Sequence, residues 1–256
     1  MSVSADLKES PDPMTAGVRL VTHLNALTWP PDGTRTGIRP SLEVTTAAIT
    51  DEDAAHHIVD RESLLGLNPL HATELAAGLA AATVFESTGW VLVLPRPGQL
   101  GSLTGPPALS AAAVEAGVAV IALEAGIALV PSVVGRGVQW QVLPAARPRP
   151  TATPYEAERS LAEAVLGVGQ ALAALDVSGG DRPPLRTISL PQRYEARRQA
   201  SLDKAFGLYE ACRVALDDDG TAISSYEMFS RRQHLQRLLA PASDLICAVC
   251  STPPGH

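Results

Sequence analysis

The apolar positions fall into two regimes along the chain. Up to about residue 146 they come as short continuous or alternating runs separated by Gly and Pro, and beyond residue 153 they recur every three or four positions. The best patterned stretch is 89–144. Residues 91–94 are continuously apolar, as in a strand covered on both faces. A loop with glycines at 98, 101 and 105 follows, then a small-residue helix opening at Pro107 or Ala108. The runs 118–123, 127–134 and 138–143 predict three further strands, the last two forming a hairpin through Gly135 and Gly137. In the last strand Val138, Trp140 and Val142 alternate with Gln139 and Gln141, so one face is buried and the other wet.

Upstream the pattern is less sharp. Residues 17–29 fit a helix and a strand equally, and 30–40 are turn-forming. The β-branched run 41–49 predicts a strand, and 51–67 predicts one short helix or a loop with a helical turn. Asn68 as N-cap with Pro69 at the first helical position predicts a helix running to about Ser87.

Downstream, the Pro-rich segment 147–153 predicts a linker. Thr153 and Glu156 form a capping box at the head of an amphipathic helix, whose stripe includes Ala157, Leu161, Ala164/Val165, Val168, Ala171/Leu172 and Leu175. A second helix is predicted over 193–216. A third opens on a Ser224/Glu227 capping box, with Phe229, Leu235, Leu238 and Leu239 as its buried face and Pro241 as a kink or break. The predicted fold class is α+β: an N-terminal small mixed sheet with packed helices, then a C-terminal bundle of three or four antiparallel helices. The expected boundaries are a disordered tail at 1–16, an α+β domain at 17–146, a linker at 147–153, a helical domain at 154–250 and a tail at 251–256.

Composition adds bounds. A chain of 256 residues buries a sizeable core without staples. Aromatics are 4%, and the apolar content is mainly Ala, Leu and Val, which favours closely packed helices over a β-sandwich. The alanine-rich chain has Lys8 and Lys204 as its only lysines, an arginine bias of the kind high-GC bacterial genomes produce. The net charge of -7 opposes nucleic-acid binding. The basic stretches at Arg193, Arg197, Arg198 and at Arg231, Arg232, Arg237 read as solvated faces or intrahelical partners of Glu195 and Glu227. The N-terminus has no basic start followed by an apolar run, and the cysteines, Cys212, Cys247 and Cys250, are odd in number; both features predict a cytoplasmic protein. Residues 117–134 carry one charge, but Glu124 near the middle, Gly126 and Pro131 argue against a membrane span.

Several arrangements of chemistry-bearing residues fall short of a motif. His56 and His57 are adjacent beside Asp51, Asp53 and Asp60, and adjacent side chains on a helix point apart. His71 and Glu74 are a lone pair at ligand spacing. The run Asp217, Asp218, Asp219, Gly220 lacks the Glu that a calcium loop requires. Cys247 and Cys250 form a C-x-x-C at a helix C-terminus, where the dipole raises a thiol pKa. No nucleophile–base constellation appears, so no catalytic residue, metal or cofactor is assigned.

Two functional classes follow. The first is a non-enzymatic interaction, scaffold or regulatory protein, acting through its helical half on a protein partner or a second copy of itself. The second is a protein, enzymatic or not, that binds a small molecule or small anion at the Gly-rich loop 96–105. There Arg96 supplies charge, Ser102 and Thr104 supply hydroxyls, and Gly98, Gly101 and Gly105 let backbone N–H groups approach the ligand beside a helix N-terminus. The spacing matches neither G-x-x-x-x-G-K-[ST] nor G-x-G-x-x-G.

Overall fold

The structure, a computed structural model, describes residues 10–28, 40–84, 89–174, 187–217 and 225–252, with the side chains of 172–174, 225 and 226 excepted. The chain divides into two compact units, Met1–Arg149 and Pro150–His256. Among the described residues the first carries a six-stranded mixed sheet and the second three helices, an α+β architecture.

In the first unit, helix α1 (Pro13–Thr28) resolves the element that the pattern left open. Asp12 caps it, its Oδ2 accepting from the Thr15 N–H at 2.9 Å and the Thr15 hydroxyl at 2.6 Å. Val18, Leu20, Val21, Leu24 and Ala26 are all fully buried. A helix buried on several faces loses the amphipathic contrast that distinguishes it from a strand, hence the ambiguous spacing.

The strand expected at 41–49 is instead helix α2 (Leu42–Thr50). Ser41 Oγ accepts from the Val44 N–H at 3.2 Å, and only Thr45 and Ile49, one turn apart, are buried. A cap and an i, i+4 stripe outweighed β-branched composition.

The helix or loop expected over 51–67 contains strand β1 (His56–Val59), which is followed by the two-residue strand β2 (Thr73–Glu74). The connection folds around Asp60, a buried carboxylate that accepts from the N–H groups of Leu64 and Leu65, both at 2.8 Å, and of Leu67 at 3.2 Å. Those bonds compensate the burial of charge. Asn68 does not open a helix; its Oδ1 accepts from the Leu70 N–H at 2.9 Å, a local turn, and helix α3 runs only over Leu75–Val84. The expected end at Ser87 lies outside the described residues, as do most of 1–16 and 30–40.

The stretch 89–144 folds as its pattern predicts, into β3 (Trp90–Val93), α4 (Pro107–Ala116), β4 (Ala119–Ala122), β5 (Ile127–Val134) and β6 (Gly137–Pro144). The strand order is β2-β1-β6-β5-β4-β3, antiparallel throughout except that β1 runs parallel to β6. Val134 pairs with Gly137, so the hairpin turn is Gly135-Arg136, with Gly135 at φ 61°. Leu109 and Ala113 of α4 pack on Val91, Val93, Ala119, Ile121, Ala128 and Val130. Gly17 of α1 lies against Val118 and Leu92 on the opposite parity, so these central strands are covered on both faces. That explains their unbroken apolar runs.

In the second unit, α5 (Pro154–Ala174) opens on the expected capping box: Thr153 N–H donates to Glu156 Oε2 at 2.9 Å, and Glu156 N–H donates to Thr153 Oγ1 at 3.3 Å. It is followed by α6 (Ala196–Asp217) and α7 (Ser225–Ser251). The α6 start meets the α7 end, where Arg198 Nη1 donates to Thr252 O at 2.8 Å, and the α7 start meets the α6 end, where Arg231 Nη1 donates to Ala215 O at 2.8 Å. These two helices are therefore antiparallel. Glu158 of α5 reaches Arg197 and Ser201 of α6, while Val168 packs with Cys212 and Leu235. Helices α5 and α6 thus run in the same direction, both against α7, rather than alternating as expected for a simple antiparallel bundle.

Helix α7 continues through Pro241 without a break, and one expectation changes: Phe229, placed by the pattern on the buried face, is 67% exposed. The Ser224 cap and the Asp218–Gly220 turn lie outside the described residues.

Candidate functional site

Where α5 and α6 straddle α7, a trough remains between their N-terminal ends. Tyr155, Glu158, Arg159 and Ala162 line one wall, Arg197, Ala200, Ser201 and Lys204 the other, and buried Leu245 of α7 forms the floor. The side-chain parity of α5 builds this wall. Ala157, Leu161 and Val168 turn into the bundle and are buried. Tyr155, Ala162, Leu166 and Gly169, spaced seven, four and three apart, fall on another face. Tyr155 and Leu166 are each 69% exposed, and Val165 beside them is also exposed. Of the predicted stripe, Val165 is therefore outside, and the positions at 172 and 175 lie beyond the described side chains.

One polar bridge crosses the trough. Ser201 hydrogen-bonds Glu158, and Arg197 Nη2 donates to Glu158 Oε2 at 3.1 Å. The Ser201 bond, and then the Arg197 guanidinium, hold the Glu158 carboxyl below the usual carboxylate range. Arg159 pairs at 2.9 Å with Glu163, in an exposed i, i+4 contact of small energetic weight. Arg197 thus bridges two helices rather than pairing within its own. Arg198, read from sequence as a solvated or intrahelical group, is 6% exposed; it lies 5.8 Å over the Tyr194 ring and caps the last turn of α7. The trough requires three helices to converge, and no local spacing announces it.

The Gly-rich loop is assembled differently. Arg96 and Gln99 exchange backbone hydrogen bonds at 2.8 and 2.9 Å, and Arg96 Nη2 donates to Gln99 Oε1 at 3.0 Å. Gly98 at φ 78° and Gly101 at φ 59° make successive tight turns, and Leu103 anchors the loop in the core. Ser102 O accepts from the Arg149 N–H at 2.9 Å, Thr104 O accepts from the Ala146 N–H at 3.3 Å, and Thr104 Oγ1 donates to Arg147 O at 2.6 Å. Gly105, at φ 145°, sits where a Cβ would meet Leu109 and the Ala146 nitrogen at 3.1 and 3.2 Å. Arg96, Gly98, Gly101, Ser102, Thr104 and Gly105 are thus in one loop, with several of its polar groups bonded to 146–149.

His56 and His57 occupy adjacent positions of β1, so their side chains point to opposite faces. His56 is buried. Its Nε2 donates to Asp53 Oδ2 at 2.8 Å and its Nδ1 accepts from Trp140 Nε1 at 3.3 Å, a neutral ring with both nitrogens engaged. Burial lowers its pKa, and Asp53 opposes that in part. His71 is exposed. Cys212, Cys247 and Cys250 are free and buried. Burial raises the Cys212 thiol to about 11, and burial with nearby Cys247 raises the Cys250 thiol well above its usual range. Among the described residues, no group of three or more His, Cys, Asp or Glu is placed to hold a metal ion, and no helix is long and apolar enough to cross a membrane.

Comparison with known proteins places both units in one family description. Residues 39–156 match the Rv1486c-like protein, N-terminal domain, and residues 155–244 match the Rv1486c-like protein, C-terminal domain. No curated protein and no solved structure matches the chain.

Proposed function

For a chain that carries both domains of the Rv1486c-like family in order, we propose a non-enzymatic, cytoplasmic interaction protein whose helical unit docks a protein partner along α5. The exposed apolar face of that helix carries the reading. A surface helix normally confines its apolar residues to one buried stripe. Helix α5 has a second series, with Tyr155 and Leu166 mostly in solvent. Exposed apolar side chains contiguous with a trough are a usual mark of a docking surface. The three free, buried thiols accord with a reducing compartment.

The Gly-rich loop receives less support as a ligand site, because the Thr104 hydroxyl and backbone groups of Ser102 and Thr104 already bond the chain at 146–149.

Site-specific photo-crosslinking in the producing cell tests the reading. A photoreactive residue at position 162 or 166 of the full chain is expected to give one discrete protein adduct. The same residue at position 213, on α6 near its far end, is expected to give none. Adducts of equal yield from all three positions, or none from 162 and 166, would overturn it.

A further inference from the structure

We draw no further inference here: the strongest candidate, the trough between α5 and α6 with the exposed apolar face of α5 beside it, carries none because Arg159 and Arg197 are paired with Glu163 and Glu158 and nothing in the structure shows what covers that face.

Discussion

The side-chain amide of Asn25 makes both hydrogen bonds of a strand partner to Trp90: its Nδ2 donates to the Trp90 carbonyl at 2.9 Å, and its Oδ1 accepts from the Trp90 N–H at 2.8 Å. Trp90 lies on β3, the last strand in the sheet order. A helix side chain thereby occupies a position at which an added strand could otherwise pair. The residues are 65 positions apart in sequence, so this bond pair ties α1 to the sheet.

Asn25→Leu should therefore cost roughly 2–4 kcal/mol, because it leaves a buried N–H and a buried C=O without their partner at once. Asn25→Asp keeps the acceptor but buries a carboxylate and turns an oxygen toward the Trp90 carbonyl, so it should cost at least as much. Chemical denaturation followed by tryptophan fluorescence suits the measurement, since Trp29, Trp90 and Trp140 all belong to the first unit. Loss of less than about 0.5 kcal/mol on Asn25→Leu would show that the bond pair is not a significant support.

The first unit should weaken as acid is added, well above the carboxylate range. Burial, with Arg19 nearby, lowers His23 to about 4, and burial lowers His56. A histidine whose folded pKa lies below its unfolded value of about 6.5 favours the neutral form in the fold. Its contribution is complete above pH 6.5 and is lost as pH falls toward the folded value. For His23 the loss by pH 5 is roughly 2 kcal/mol, at about 1.4 kcal/mol per pH unit. Denaturation midpoints by tryptophan fluorescence at pH 7.5 and pH 5 should differ accordingly, and His23→Gln should flatten the dependence. A flat profile in the unaltered protein would contradict the assignment.

How far the sequence predicts this fold depends on whether the determining contact is local. The 89–144 run was legible because each strand is bounded by its own turn, with β3 and β4 buried on both faces and β6 alternating between buried and wet positions, so apolar runs translate directly into elements. Thr153 and Glu156 were legible because a capping box is complete within four residues. Residues 41–49 misled because β-branched composition describes a preferred environment, while Ser41 and the pair Thr45 and Ile49 fix the conformation. At 56–59 the local pattern is weak, and pairing with β6, some eighty residues downstream, makes the strand. The trough was the least legible feature. Glu158 and Ser201 are 43 positions apart, and their meeting depends on α5 and α6 sharing a direction.

Gly78 of α3 faces Ile58 of β1 so closely that a Cβ would overlap the Ile58 side chain. Two effects oppose each other in Gly78→Ala. Alanine gains about 1 kcal/mol of helix propensity, while overpacking a filled core costs about 1–3 kcal/mol. Ile58 is fully buried and held in the middle of a paired strand, so it has little room to yield. The variant should be destabilised by about 1 kcal/mol, again by tryptophan fluorescence, whereas alanine at Gly167, where a Cβ meets nothing within 4 Å, should stabilise α5. Stabilisation by Gly78→Ala would mean that α3 and β1 separate easily.

Arg198 fastens the end of α7. Its Nη1 donates to Thr252 O, its guanidinium lies over Tyr194, and the Tyr194 hydroxyl donates to Cys250 O at 3.5 Å. Cationic donors at a helix C-terminus satisfy carbonyls that have no partner within the helix. Arg198→Met keeps much of the apolar volume and removes the donors, so the last turn should fray before the bundle unfolds. Cysteine accessibility reports this. In the native protein Cys212 and Cys250 should react slowly with a thiol reagent at pH 8, being buried and with raised pKa values. Arg198→Met should accelerate the reaction at Cys250 about tenfold or more while leaving Cys212, remote from that end, near its original rate. Equal acceleration at both thiols would indicate loosening of the whole bundle, and no acceleration at either would show that α7 holds its last turn without the arginine.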